Sequence, residues 1–439
     1  MNMEKDKDML GDMRRFDRWK RMWLCGAGAV AIGALLPAAP AAAQAPAAQT
    51  ATVKVALVVP LSGPWARQGD LMQKGAVMAV DDINRAGGVK ALGGARVTLV
   101  VADAGETAEK AKNAAQRLIA QEPDLVGGSG AWLSSFTLAI TEVTERAGLP
   151  WLTLSYSDQI TERGFRYVFQ TSPTGSQLSE GALPAILSLA QEAQNGAQGG
   201  ASGGRPTSTA VLADNTAALA SFTKPLREGG FARMGLTVPV DETFTPPLSD
   251  ATAMVQRVRR AKPDFLLMLA SNVPDDKLLL EKLNEFNLAR GRLPVIATGA
   301  HMGAPDLLKV VDQDLLEGVM TIVGNWGAKG QEDLIRRFRD ATGEPWLTQD
   351  SISTYGEMWI LKEAMEQAGS ADREKVAQAL RGMDVTGGPA AFFPGGRVKF
   401  DAKGRRVGAS PMIVQWQKGE PVAVWPQEAA RAKAYWAKQ

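Results

Sequence analysis

Val53-Lys-Val-Ala-Leu-Val-Val-Pro-Leu-Ser-Gly-Pro-Trp-Ala-Arg-Gln-Gly-Asp70, carried on by Lys74-Gly-Ala-Val-Met-Ala-Val-Asp-Asp-Ile-Asn-Arg-Ala-Gly-Gly-Val89, is the stretch that decides the fold. It opens on a near-continuous apolar run, the pattern of a parallel strand covered on both faces. Pro60, Gly63 and Pro64 turn the chain. The second part alternates at helical spacing and stops at Gly87-Gly88. Strand, turn, helix and stop make one βα unit.

The same unit recurs downstream. The apolar pattern predicts strands over 97–103, 124–126 and 151–155, with helices over 106–121 and 134–147 between them. An extended segment, 166–172, ends at Pro173 and reads as a crossing to a second lobe. There, strands over 210–213, 236–238, 265–269, 295–297 and 319–323 alternate with helices over 177–192, 248–262, 275–288 and 305–311. Helices return over 332–341, 350–367 and 373–383. Strands over 397–401, 411–416 and 421–425 follow, the last two joined by a turn at Lys418-Gly419. The fold class is α/β, with two doubly wound lobes. The segment 194–206, rich in Gly and Gln, reads as a surface loop with no function assigned.

At the N-terminus, Arg14, Arg15, Arg18, Lys20 and Arg21 precede an apolar run over 22–36, and small residues follow it to Ala43. This is the pattern of a cleavable export signal over 1–43. The general secretory route fits better than twin-arginine export, because Asp17-Arg18-Trp19 departs from the flank expected after the arginine pair. The signal holds 7 of the 49 basic and 5 of the 47 acidic residues, leaving 42 of each. So balanced a charge argues against nucleic acid as the partner. Cys25, the sole cysteine, lies within the signal, so no disulfide staples the exported chain. His301 is the sole histidine, too few for zinc chemistry. Neither a metal nor a cofactor is expected. Gly127-Gly-Ser129-Gly-Ala131 lacks the third glycine of a dinucleotide loop, since Leu133 stands there.

Three stretches carry a family resemblance. They are the opening segment, Ser134-Ser-Phe-Thr-Leu-Ala-Ile-Thr-Glu-Val-Thr-Glu-Arg-Ala-Gly-Leu-Pro-Trp-Leu-Thr-Leu-Ser155 with Thr161-Glu-Arg-Gly-Phe165 after it, and Met412-Ile-Val-Gln-Trp416 before Val424-Trp-Pro426. In this order they resemble the type I periplasmic solute-binding proteins of branched-chain amino-acid (Leu/Ile/Val-binding) ABC transporters. The resemblance spans essentially the whole exported chain. It implies two lobes joined by three crossings, placed near Ser172, Gly324 and Arg397. Lobe 1 would then comprise 53–172 and 325–396, lobe 2 173–324 and 397–426, and a tail 427–439. It further implies a non-enzymatic receptor in the periplasm that captures a small amino acid or related carboxylate solute and delivers it to a membrane permease.

The resemblance places ligand-holding hydroxyls at Ser134 and Ser135, at the start of a helix, and at Ser155, Tyr156 and Ser157. A helix N-terminus attracts an anion through its unpaired N–H groups and dipole; the plainer role for Ser134 is to cap the helix. Trp65 and Trp132 are candidate cleft walls, or else hydrophobic plugs under loops. His301 is a candidate cleft residue, or else an ordinary loop residue. Amino-acid receptors of this family hold the ligand ammonium with an acid in the loop that here reads Gly299-Ala300-His301-Met302. No carboxylate stands there, nor are the expected aromatics present near 215–218 and 271–273. Asp158 or Asp214 could substitute.

Two other readings compete. A ligand sensor of the same fold would report to a membrane regulator. A serine hydrolase would use Ser129 at a broken nucleophile elbow with Asp264 and His301.

Overall fold

The computed structural model describes residues 51–196 and 204–436. The proposed signal over 1–43 lies outside them. Among the described residues no helix is long and apolar enough to cross a membrane.

Two sheets form the two lobes. In the first, β1 (Thr52–Val59), β2 (Arg96–Asp103), β3 (Leu125–Gly130), β4 (Trp151–Thr153) and β5 (Val168–Gln170) run parallel in the order β2-β1-β3-β4-β5. In the second, the strands are β6 (Ser208–Asp214), β7 (Thr237–Phe244), β8 (Phe265–Leu269), β9 (Val295–Thr298) and β10 (Met320–Val323). They repeat that order as β7-β6-β8-β9-β10. A short ribbon, β11 (Asp384–Val385) with β12 (Val398–Lys399), stands apart. The hairpin β13 (Met412–Gln417) and β14 (Glu420–Trp425) adds antiparallel strands beyond β10. In sheets of this order a ligand sits beyond the carboxyl ends of the strands, where the winding direction reverses. Both lobes point that end at a shared cleft.

The helix Gln349–Ala368 belongs to the core of the first lobe, although it comes late in the chain. Its Ser351 carbonyl oxygen would lie 2.1 Å from a Cβ on Gly75. The helix Ala66–Arg85 can therefore pack this closely only through a glycine.

Four sequence expectations need correction. The chain does not leave the first lobe at Arg397: Val398 and Phe400 lie in that lobe's core, and the Arg406 guanidinium donates to the Thr171 carbonyl at 2.7 Å. It joins the second sheet only at Met412. The segment after Pro426 is no separate tail, since Trp436 packs against the second core and the Tyr435 hydroxyl donates to Glu317 at 2.6 Å. The expected helix over 305–311 is only a 3-10 turn, Pro305–Lys309. Finally, the strand expected over 124–126 runs on through the glycine-rich stretch to Gly130.

Candidate functional site

A cavity of about 140 Å³ lies between the lobes. The first lobe contributes Trp132 to Ser135, which follow β3, and Leu154 to Tyr156, which follow β4. The second contributes Thr216 to Leu219 after β6, Ala270 and Ser271 after β8, and Thr298 at the end of β9 with Gly299 to His301 beyond it. Gln349 closes one side. The lining is mostly apolar, and no lysine, arginine, aspartate or glutamate is part of it.

Two helices begin at this cavity, one from each lobe. The helix Ser134–Arg146 starts after Leu133, with no side chain capping it. Ser134 is thus the first helical residue and not the cap. The Phe136 and Thr137 N–H groups both donate to the Leu133 carbonyl, leaving those of Ser134 and Ser135 unpaired. Opposite, the helix Ala217–Pro225 starts after Thr216, again with no side-chain cap. Open helix ends of this kind favour negative charge.

The hydroxyls divide into used and unused. Ser155 is committed: its Oγ donates to the Ala131 carbonyl and pairs with Thr137, both at 2.7 Å. The Ser134 Oγ accepts from the Ser157 N–H at 3.1 Å, fixing the loop after β4. Ser157 itself is buried and does not line the cavity. Exposed Ser135 makes no side-chain hydrogen bond and is free to bind. The Tyr156 hydroxyl points to Gln349, and the Gln349 Oε1 also accepts the Gly324 N–H at 2.6 Å. Burial holds the Tyr156 phenol far above its ordinary range, so it stays protonated.

The two tryptophans part company. Trp132 lines the cavity with its indole N–H held by Asp350 at 3.0 Å. Trp65 does not reach the cavity. It packs edge-on against Phe136, ring centroids 5.6 Å apart, in the cluster under β1 and β3.

His301 crosses the cleft to meet Trp132 edge-on, with centroids 5.7 Å apart. It is 2 % exposed. Its Nε2 lies 2.8 Å from the fully buried Asp276 carboxylate. Desolvation pushes Asp276 up to about 6 against the pull of His301. Burial likewise pushes Asp350 up to about 7, although nearby His301 and the Trp132 N–H favour its charged form. Sequence reasoning missed Asp276, Asp350 and Gln349. Asp276 lies 25 residues from the histidine it holds, a separation that carries no local pattern. Neither proposed substitute acid reaches the cavity. The Asp158 carboxylate accepts from the Ser176 N–H at 3.2 Å, and Asp214 accepts from the Thr216 N–H at 2.9 Å and its hydroxyl at 2.6 Å.

The hydrolase reading fails on geometry. Ser129 is fully buried inside β3 and bonded to Glu357, not to a histidine. Asp264 accepts from Thr207 and Ser208 at the far end of β6.

The model of the family described as periplasmic binding protein matches residues 52–421. A Leu/Ile/Val-binding protein homolog of Brucella melitensis is 28% identical over 404 residues, covering 90% of this chain and 96% of the relative. Among solved structures, a leucine-binding protein of Thermotoga maritima superimposes with a TM-score of 0.70 at 20% identity, covering 85% of this chain and 97% of that one. An ABC-transporter solute-binding protein of Rhodopseudomonas palustris in complex with benzoate gives 0.69 at 18% identity, covering 88% of this chain and all of that one.

Proposed function

The chain belongs to the periplasmic binding protein family, and we propose that it serves an ABC importer as the receptor for a compact carboxylate without an ammonium group. As a member of that family it is a binding protein and not an enzyme. One observation carries the ligand class: the cavity offers an open helix end and the free Ser135 hydroxyl on one wall, and no carboxylate on any wall. A carboxylate ligand finds unpaired N–H donors there. A zwitterion would bury its ammonium without a partner, which is costly. The size agrees, since an apolar cavity of roughly 150 Å³ takes a benzene ring. Benzoate in the Rhodopseudomonas palustris protein is a precedent within the fold.

On this reading the signal over 1–43 directs export to the periplasm, the lobes close over the ligand, and the closed form docks on a membrane permease. Closure requires that the ligand bind the closed state better than the open one.

A thermal-shift screen of the chain from Gln44 onward tests the ligand class. Benzoates and short aliphatic carboxylates should each raise the melting temperature. At 100 times the dissociation constant the gain is about 2.7 kcal/mol. Leucine, isoleucine and valine should leave it unmoved. Stabilisation by leucine with none by the plain carboxylates would overturn the proposal.

A further inference from the structure

The carboxylate site proposed above does not use the Asp276–His301 pair, although His301 lines the same cavity. Asp276 lies in the first turn of the helix Val273–Glu285, which Asn272 caps, and so cannot shift without disturbing that helix. With the His301 Nε2 engaged by Asp276, Nδ1 is the ring nitrogen left for a ligand, and without a proton it is an acceptor. That Nδ1 is buried and has no partner. The neighbouring lining residue is Gly299, at φ +98°. A Cβ there would fall 2.7 Å from Nδ1 and 2.6 Å from Cε1, so only glycine leaves this edge of the ring uncovered. An acceptor buried without a donor is a deficit that a ligand can make good.

We infer that His301, positioned by Asp276, is the specificity-determining residue of the cleft, with Nδ1 accepting a hydrogen bond from a hydroxyl on the ligand. This rests on the carboxylate reading above. The ligand is then a compact hydroxylated carboxylate: its carboxylate lies at the helix Ser134–Arg146, its body against Trp132, and its hydroxyl at the second lobe. Because one ligand group belongs to each lobe, the His301 contact forms only on closure.

Matched ligands test it by calorimetry: benzoate, 4-methylbenzoate, 3-hydroxybenzoate and 4-hydroxybenzoate. One hydroxylated compound should bind roughly tenfold tighter than benzoate, the value of one good buried hydrogen bond. The methyl compound, similar in size but with no O–H, should gain nothing. In His301→Phe the ratio of hydroxylated to plain benzoate should fall to one. A second measurement needs no variant. His301 is the only histidine in the chain, so ¹⁵N-histidine labelling gives one imidazole. The preferred ligand should move its Nδ1 resonance and leave Nε2 in place. In Asp276→Asn the preference should shrink. Equal affinity for all four compounds in the parent protein, or a preference that survives in His301→Phe, would overturn this inference and leave the carboxylate reading standing. Binding of leucine with no carboxylate bound would remove both.

Discussion

Ser134 and Ser135 are adjacent and chemically identical, and the fold gives them different work. The Ser134 hydroxyl is spent on the Ser157 N–H, while that of Ser135 is open to the cleft. Ser134→Ala should therefore act on stability, costing about 1–3 kcal/mol in thermal or denaturant melts because a buried N–H loses its acceptor. Ser135→Ala should leave the melt unchanged and weaken carboxylate binding by about 1 kcal/mol in titration calorimetry. The reverse assignment of effects would place the ligand carboxylate elsewhere. Legibility at this scale was partial. Six of the eight residues proposed from sequence line the cavity: Trp132, Ser134, Ser135, Ser155, Tyr156 and His301. They follow strands at the lobe ends that the βα pattern predicts. Trp65 follows a strand too, but its ring turns toward Phe136, and nothing in the local spacing separates it from Trp132. The acids behind the rings were invisible because only tertiary packing brings Asp276 to His301 and Asp350 to Trp132.

The helix Gln349–Ala368 shows why burial can hide from periodicity. Gln349, Asp350, Ser353, Thr354 and Glu357 are all buried, so its polar residues trace no solvent face. Glu357 accepts from Ser129 and from Thr171, the latter at 2.6 Å, and burial still pushes it up to about 7. With Asp350 near 7 and Asp276 near 6, three carboxyls titrate higher in the folded chain than in the unfolded one. Above pH 4 the unfolded chain sheds these protons while the native one keeps them. Stability should accordingly fall as pH rises from about 4 to about 7 and then level off. Melting temperatures at pH 5, 6, 7 and 8 check the sign, and Glu357→Gln should flatten the slope. A melting temperature that climbs across this window would refute the account. The close approach at Gly75 gives another expectation. Gly75→Leu forces a side chain into the Ser351 carbonyl and should cost roughly 3 kcal/mol, read as a lowered midpoint in urea. β3 taught the opposite lesson about glycine. Gly127 and Gly128 lie beyond the strand expected over 124–126, yet they sit in a strand so crowded that a Cβ on Gly128 would meet Trp151 at 2.5 Å.

At the scale of the molecule, an ion pair bridges the two lobes. Arg67, on the helix Ala66–Arg85, pairs with Asp306 of the second lobe and with Glu344, to which Lys74 also donates at 2.5 Å. The Asp306 contact can exist only while the lobes are together. Asp306→Asn should raise the ligand dissociation constant a few-fold, mainly through faster release in stopped-flow, and the difference should shrink in high salt as screening takes over. An unchanged release rate would show that the pair does not hold the lobes. The crossings were legible only in outline, because the ribbon and loop over 398–406 carry no sign of which core they fill. The late arrival of the helix Gln349–Ala368 in the first core has a consequence for biogenesis. The first lobe begins at the N-terminus but cannot be finished until the last quarter of the chain has been synthesised, so its contacts are long in sequence and slow to form. A growing chain therefore presents no completed domain to lock it shut ahead of translocation. For the same reason, a chain cut short before this helix leaves its N-terminal core unfilled, a substrate for proteolysis and not a half-working receptor.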